Sequence, residues 1–295
     1  MIAPFVSVDW VTEHATDVVL ADVRWYLDGR SGADAFAAGH LPSARFVDLE
    51  TWLSGPGGTD AGRHPLPDPE VFAEGMRRLG VNEADTVIAY DDADGVIAAR
   101  LVWMLRVTGH DAAVLDGGLA VFTGALEPGA GTPPSVPGDF TSRPWPAHHL
   151  VDLADLADLV RPGGPEGTTS VLVDARDADR YRGDHEPVDP RAGHIPGARS
   201  LPCRANLGPD GRLVPPRELR RRFERLGVRH GSEVVSYCGS GVTACHNLLA
   251  LEHAGYAPGR LFPGSWSQYS RTGLPAATGD DATGFPATQP VRPGS

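Results

Sequence analysis

Cysteine is scarce in this chain, with three residues among 295, and no two of them form a C-x-x-C pair. That scarcity excludes a disulfide framework and disfavours a metal site built from thiolates. The chain also lacks a basic, apolar leader at its start and any apolar run long enough to cross a bilayer. Its net charge of −12 at pH 7 argues against nucleic acid or an anionic membrane surface as a partner. We therefore expect a cytoplasmic protein.

What the chain does contain is a repeat, because two halves carry the same landmarks in the same order about 150 residues apart. The landmarks are an Asp-x-Arg triplet, a Gly-His-Leu/Ile-Pro tetrapeptide and an Arg-Leu-Gly-Val tetrapeptide. They occupy 22–24, 39–42 and 78–81 in the first half, and 174–176, 193–196 and 225–228 in the second. In each half an amphipathic helix runs into the third landmark and a β-branched strand follows it. Alternating strands and helices predict an α/β domain with a mainly parallel sheet in each half.

The domain boundaries follow from changes in composition. We assign residues 1–128 to an N-terminal domain and residues 147–277 to a C-terminal domain, each long enough to bury its own core. Residues 129–146 are rich in Pro, Gly, Ser and Thr, which predicts a linker. A similar composition over 278–295 predicts a loosely held tail.

The most informative segment is the turn after the predicted strand 234–237. Cys238 follows that strand at once, Gly239 and Gly241 come next, and a helix is predicted to begin near Thr243. A cysteine there faces a helix N-terminus, where unpaired backbone N–H groups and the helix dipole stabilise an anion. The two glycines let the backbone curl around the sulfur. The pattern predicts an anion-binding loop with a nucleophilic thiolate at its centre.

The first half has lost this nucleophile, because the repeat assigns Asp91 to the position of Cys238. Its loop, residues 91–95, is acidic and is expected to repel the anion that the second loop attracts. We therefore expect covalent chemistry only in the C-terminal domain.

Several polar residues are interpreted as structural instead. The two Asp-x-Arg triplets recur in both halves and are expected to form ion pairs or loop ties. His40 and His194 also recur, each before a Leu-Pro or Ile-Pro pair, and are expected to stabilise turns. Cys203 and Cys245 are expected to be buried packing residues.

Such a thiolate has three kinds of target: phosphorus, a carbonyl carbon or sulfur. A cysteine phosphatase needs an arginine six positions after its cysteine, and Ala244 occupies that position. Acyl transfer needs a histidine that takes the thiol proton, and His246, His64 and His194 are the candidates. Sulfur transfer suits the loop best, because a persulfide is itself an anion that the loop can hold. That reaction requires neither a metal nor an organic cofactor.

Taken together, these motifs resemble the rhodanese superfamily of sulfurtransferases, including the Pro-Gly-Ser-Trp segment at 263–266. The resemblance extends to about Leu274 and implies two tandem rhodanese-like domains, the second one catalytic. The loop C-G-S-G-V-T-A is similar to that of 3-mercaptopyruvate sulfurtransferases. Thiosulfate sulfurtransferases usually carry C-R-K-G-V-T-A, so Gly239 and Ser240 replace two cations here.

The resemblance also implies which residues bind the substrate. Cys238 would carry the persulfide, and the loop that holds it consists of Gly239, Gly241, Val242, Thr243 and Ala244. Arg180 matches the family's substrate arginine, whose planar guanidinium suits a carboxylate. For the family's second arginine, strict spacing leads to Asp189, and Arg191 is the nearest replacement.

A proton-transfer arrangement is implied as well. Ser240, His64 and Glu50 match a Ser–His–Asp set, with Glu50 one methylene longer than the family's Asp. Since His64 belongs to the first half, the active site would lie in the cleft between the domains. His64 has no counterpart in the repeat, which supports a functional role.

The sequence thus predicts an enzyme that moves sulfur from 3-mercaptopyruvate through Cys238 to a thiol, such as thioredoxin or a low-molecular-weight thiol, or to cyanide. Two alternatives stay open. Thiosulfate is the first alternative donor, with the same Cys238. The second alternative is a persulfide carrier or interaction module whose first domain binds a partner.

Overall fold

The computed structural model describes residues 1–159 and 170–280. The strands are β1 (Phe5–Val6), β2 (Val18–Asp22), β3 (Arg45–Phe46), β4 (Thr86–Tyr90), β5 (Ala112–Leu115), β6 (Ser170–Asp174), β7 (Arg199–Ser200), β8 (Glu233–Tyr237) and β9 (Arg260–Leu261). The helices of the first half are α1 (Val8–Glu13), α2 (Gly32–Ala38), α3 (Leu49–Trp52), α4 (Pro69–Arg78) and α5 (Ala99–Val107). Those of the second half are α6 (Leu153–Leu159), α7 (Ala178–Arg182), α8 (Pro216–Arg225), α9 (Ala244–His253) and α10 (Ser265–Tyr269). No helix in these two ranges has the length and apolarity to span a bilayer.

Each half forms one sheet in which all paired strands are parallel. The strand order is β1-β5-β4-β2-β3 in the first sheet and β7-β6-β8-β9 in the second. The central pairs have the same register, with Asp22 opposite Tyr90 in one sheet and Asp174 opposite Tyr237 in the other. The predicted duplication of a parallel α/β domain is confirmed.

The recurring Asp-x-Arg triplets form the expected structural ion pairs. Arg24 binds Asp22 and donates to the Gly39 carbonyl at 2.8 Å. Arg176 repeats the pattern with its own Asp and the Gly193 carbonyl, at 2.7 Å. In both halves a guanidinium therefore ties the end of a strand to the next turn.

The two recurring histidines stabilise turns, as expected. His40 contacts the Phe36 carbonyl through Nδ1 at 3.0 Å and stacks on that residue's ring. His194 has the same relation to Tyr181, with Nδ1 at 2.8 Å from the carbonyl and the rings stacked. Neither histidine takes part in the arrangement around Cys238.

The segment predicted as a linker, 129–146, lies against the first half. Phe140 is buried and packs edge-on against Phe72, and the Gly138 N–H donates to the Arg77 carbonyl at 2.8 Å. This segment, although rich in Pro and Gly, therefore follows a defined path over the surface of the first half. Of the predicted tail, residues 281–295 lie outside the described residues. The domain boundaries stay predictions.

The two halves pack through the helices that follow their loops, α5 and α9, and their side chains share one apolar core. Arg100 on α5 is fully buried at this contact. Its guanidinium donates to the carbonyls of Leu53 and His64 in the first half and of Gly241 in the second. One side chain therefore fixes a catalytic-loop residue relative to the segment that carries His64.

Replacing Arg100 tests this connection. Arg100→Met keeps much of the volume but leaves three buried carbonyls without their donor, so we expect the free energy of unfolding to fall by about 2–4 kcal/mol. Urea unfolding of wild type and variant measures the difference. Arg78→Met, at an exposed arginine on α4, is the control and should change stability by less than about 0.5 kcal/mol. An Arg100→Met protein as stable as the control would disprove the structural role.

Candidate active site

Cys238 lies at the end of β8, at the bottom of a tight loop that leads into α9. Its side chain is buried, with 3% of the residue exposed, and the Gly241 N–H points at Sγ from 3.1 Å. An N–H aimed at sulfur favours negative charge on it. The loop therefore has the geometry of an anion site with sulfur at its centre.

The Pro-Gly-Ser-Trp segment holds the outer side of this loop. The N–H groups of Trp266 and Ser267 donate to the carbonyls of Cys238 and Gly239 at 3.0 and 2.9 Å. Ser265 accepts the Cys238 N–H through Oγ at 3.1 Å and adopts a left-handed φ of 51°. These bonds tie Cys238 and Gly239 to the Pro-Gly-Ser-Trp segment.

Gly241 has a conformation that other residues resist. Its φ is +82°, and a Cβ there would lie 2.6 Å from the Pro263 carbonyl oxygen. Both facts exclude a side chain without strain. The glycine therefore lets the loop close against the Pro-Gly-Ser-Trp segment while its N–H reaches Cys238.

Ser240, His64 and Glu50 form a hydrogen-bonded series beside the sulfur. His64 Nδ1 lies 2.8 Å from Ser240 Oγ, and Nε2 lies 3.1 Å from Glu50 Oε1. A carboxylate accepts at Nε2, so we assign the ring proton to Nε2 and an acceptor role to Nδ1. Trp25 donates to the same Glu50 oxygen at 2.9 Å. Glu50 thus reaches His64 in spite of its extra methylene.

The environment keeps His64 neutral. Burial lowers its pKa below the ordinary value of 6.5, and the Glu50 carboxylate opposes that shift. A neutral imidazole accepts a proton from a hydroxyl, whereas an imidazolium does not. The ring is therefore in the form that a general base requires at pH 7.

Contacts between the halves bring His64 to the loop. The preceding residues approach the Pro-Gly-Ser-Trp segment closely: a Cβ at Gly62 would lie 2.6 Å from the Gly264 carbonyl oxygen, and the Arg63 N–H donates to Ser267 Oγ at 3.0 Å. Arg100 holds the His64 carbonyl from the other side, at 3.1 Å. This first-half segment is anchored directly to the second half.

A cleft of about 860 Å³ opens above Cys238 and is lined by both halves. Arg180 projects into it from α7, while Glu186 binds its Nε and Nη2 and Asp189 contacts Nη2 at 3.3 Å. Burial acts to raise the pKa of Glu186, but its hydrogen bonds from Arg180 and the Asp189 N–H outweigh burial and hold that pKa below its ordinary value. The acidic partners orient Arg180, and its Nη1 faces Gly239.

Arg191, the replacement chosen for a second substrate arginine, does not reach the cleft. Its guanidinium donates to the carbonyls of Leu274 and Tyr269 and lies over the Trp266 ring. Asp189, where strict spacing leads, is the residue beside Arg180. The position that spacing indicates therefore lies at the cleft arginine, but it carries an acid instead of a second arginine.

The other cysteines are buried, as expected. Burial raises the pKa of both Cys203 and Cys245 to about 12, which keeps the thiols protonated. Cys203 nevertheless lines the cleft, a position the sequence did not predict. Over 1–159 and 170–280, no group of three or more His, Cys, Asp or Glu side chains is arranged to hold a metal ion.

The fold and the loop have close counterparts among known proteins. A family model described as a rhodanese-like domain matches residues 7–125 and 154–272. The "Probable 3-mercaptopyruvate sulfurtransferase" of Pseudomonas aeruginosa is 45% identical over 274 residues, 90% of this chain and 93% of its own.

The chain belongs to the rhodanese family. It is a tandem-domain sulfurtransferase, and a relative from Arabidopsis thaliana, named thiosulfate/3-mercaptopyruvate sulfurtransferase 1, mitochondrial, is 30% identical over 90% of this chain and 76% of its own length. The crystal structure of SseA from Escherichia coli, described as a 3-mercaptopyruvate sulfotransferase, has a TM-score of 0.76. The two are 34% identical over 90% of this chain and 100% of that one.

In the first rhodanese domain the loop contains an anion of its own. The buried Asp91 carboxylate accepts the N–H groups of Ala93, Gly95, Ile97 and Ala98 at 2.7–2.8 Å. Burial raises its pKa, and these four bonds oppose that shift. The loop that surrounds Cys238 in the second domain is thus occupied by the chain's own carboxylate in the first, and the expected repulsion of anions stays a prediction.

Sequence reasoning missed an arginine of the first half that lies over Gly239 of the rhodanese loop. Arg63 lines the cleft, and a Cβ at Gly239 would lie 3.1 Å from its Nη2. It forms an ion pair with Asp189 of the other half. The available signal was its place beside His64, in a segment without a repeat counterpart.

The pKa of His64 can be measured by NMR titration, with its ring signals assigned by their loss in His64→Gln. We expect a midpoint below 6.5 in wild type because of burial. Glu50→Gln should lower it further, since the carboxylate that raises the pKa is removed. Glu74→Gln on α4 is the control and should not move it. A wild-type midpoint at or above 6.5, or one that Glu50→Gln raises, would contradict the arrangement.

Proposed function

We propose that this rhodanese moves sulfur from 3-mercaptopyruvate to a thiol by way of a persulfide on Cys238. The observation that carries the proposal is the hydrogen-bonded series Ser240–His64–Glu50 beside the sulfur. A mercaptan donor has a thiol proton that must be moved during the reaction, whereas thiosulfate has no such proton. A path for protons is therefore useful to the first donor and superfluous to the second.

The first half-reaction joins the two sulfur atoms. The Cys238 thiolate attacks the donor sulfur, the S–S bond forms, and the C–S bond breaks with its electron pair left on carbon. The enolate of pyruvate takes up the proton that the donor thiol gives up. The products are pyruvate and a Cys238 persulfide anion, and no outside oxidant or reductant is consumed.

Ser240 and His64 move that proton. Neutral His64 accepts a proton at Nδ1 from Ser240 Oγ, which takes the donor's thiol proton in turn. Glu50 accepts at Nε2 and stabilises the imidazolium that forms. The proton then returns by the same path to the enolate carbon.

The loop and Arg180 hold the two negative groups of the intermediate. The Gly241 N–H, which points at Sγ, stabilises the thiolate before attack. Gly239, Val242, Thr243 and Ala244 complete the backbone around the outer sulfur of the persulfide. Arg180 presents Nη1 to the donor carboxylate, while Glu186 fixes the rest of its guanidinium.

The second half-reaction returns the enzyme to its starting state. An acceptor thiolate attacks the outer sulfur and Cys238 leaves as a thiolate. The cleft of about 860 Å³ is far larger than the donor, so an acceptor can enter after pyruvate leaves. We propose thioredoxin or a low-molecular-weight thiol as acceptor and the cytoplasm as the compartment, which would keep all three free cysteines reduced.

A donor comparison tests the function. We expect kcat/KM for 3-mercaptopyruvate, read as pyruvate, to exceed that for thiosulfate, read as thiocyanate with cyanide as acceptor, by at least about tenfold. Cys238→Ser should abolish both reactions, and Cys203→Ser, at the other cleft cysteine, should keep them. A preference for thiosulfate would overturn the proposed donor. If neither donor is turned over, a persulfide carrier is the better description.

Ser240→Ala tests the proton path separately. Loss of the Ser240 hydroxyl should lower kcat for 3-mercaptopyruvate by about 10- to 100-fold, because the thiol proton then has no route to His64. Any thiosulfate turnover should fall by less than about threefold, since no proton is moved in that reaction. Steady-state rates with the two donors measure the split. Equal losses with both donors would assign Ser240 to the loop structure instead.

A further inference from the structure

We propose that Arg63, from the first domain, is the second arginine that binds the donor carboxylate and so determines donor specificity. This inference rests on the proposed function, because it concerns the same site. It assigns half of the carboxylate clamp to a domain that has no nucleophile. Arg63 would occupy the role that sequence spacing led us to seek at Asp189 or Arg191.

The guanidinium of Arg63 lies over Gly239, close to that of Arg180. A Cβ built on Gly239 would lie 3.1 Å from Arg63 Nη2 and 3.4 Å from Arg180 Nη1. The two arginines, one from each half, therefore meet over the residue that follows the nucleophile. Gly239 has no side chain, which leaves this space to the guanidinium groups.

The Arg63 guanidinium is paired with an acid through one of its three nitrogens. Arg63 binds Asp189 through Nη1, and its buried Nε has no hydrogen-bond partner in the part of the chain that the structure describes. Its Nη2 lies over Gly239. One edge of the guanidinium is thus held by an acid, and Nη2 is the group presented to an anion over Gly239. The buried Nε without a partner is costly, and the negative charge of a carboxylate bound at Nη2 would offset that cost.

Arg63 and Arg180 share one acidic partner, Asp189. Asp189 contacts Arg63 with Oδ1 and Arg180 with Oδ2, and its own side chain is fully buried. One carboxylate therefore sets the spacing of both guanidinium groups. Asp189 belongs to the second half and Arg63 to the first, so this ion pair crosses the domain interface.

The backbone around Arg63 is held rigidly. The Arg63 N–H donates to Ser267 Oγ, and Arg100 holds the carbonyl of the next residue, His64. Gly62 approaches the Gly264 carbonyl so closely that no side chain fits. The backbone of Arg63 is therefore fixed by the second domain at Gly62 and Arg63 and by Arg100 of its own domain at the next residue, which a specificity residue requires.

The test compares two donors that differ by the carboxylate: 3-mercaptopyruvate and 1-mercaptopropan-2-one. Both need Cys238, Ser240 and His64, so the second donor reports any damage to those residues. In Arg63→Met, kcat/KM for 3-mercaptopyruvate should fall by about 10- to 100-fold, mainly through KM. The value for 1-mercaptopropan-2-one should change by less than about threefold. Arg63→Lys should fall in between, because it keeps the charge and loses the planar fork.

An exposed arginine on α4, Arg78, provides the matched control. Arg78→Met, which removes an exposed arginine on α4, should leave the ratio of the two donors unchanged. A ratio that Arg63→Met also leaves unchanged, whether both rates fall or neither does, would overturn the inference. Such a result would assign Arg63 a structural role at the domain contact.

A binding measurement separates this inference from the proposed function. Calorimetric titration of pyruvate into Cys238→Ser, with and without Arg63→Met, measures carboxylate binding without turnover. We expect Arg63→Met to weaken pyruvate binding by about tenfold or more. Weaker binding would support Arg63 even if wild type fails to use 3-mercaptopyruvate, which would refute only the donor. Unchanged pyruvate binding would refute the role of Arg63 itself.

Discussion

The catalytic arrangement depends on one buried guanidinium, that of Arg100. It donates to carbonyls in both halves and makes the positions of His64 and Gly241 mutually dependent. A charge in the core is stable only when it is hydrogen-bonded, and here backbone carbonyls of both halves accept hydrogen bonds from the guanidinium. The enzyme thereby gains a fixed distance between a loop on one domain and a loop on the other. The proton path that we propose from Ser240 to Glu50 crosses this interface and depends on that distance.

The sequence predicted the fold because the repeated landmarks correspond to strand ends and turns that the backbone must form in any such domain. It also predicted that Cys238, Ser240, His64 and Glu50 meet, since the family resemblance carries that information. It did not predict that Arg63 lines the cleft, because spacing along one domain contains nothing about residues that enter from the other. Arg191 was chosen by proximity along the chain, and its guanidinium instead packs behind Trp266.

The same limit applies to Asp91, whose hydrogen bonds the sequence did not show. A run of acidic residues suggests repulsion when charges are summed along the sequence. In the fold, however, the Asp91 carboxylate turns into its own loop and accepts four N–H groups. Backbone N–H groups are invisible in a count of charged side chains, and here four of them converge on one carboxylate and oppose the cost of its burial. The direction of N–H groups, rather than net charge, decides what each loop can hold.

Asp91 fills the loop of the first domain permanently. Since the Asp91 carboxylate is covalently part of the chain, no small anion can compete it away at any concentration. The first domain is therefore a copy of the second whose anion-binding loop is permanently occupied. Its contribution consists instead of side chains that extend to its neighbour: His64, which contacts Ser240, and Arg63, which pairs with Asp189. Duplication here produced a division of labour instead of a second active site.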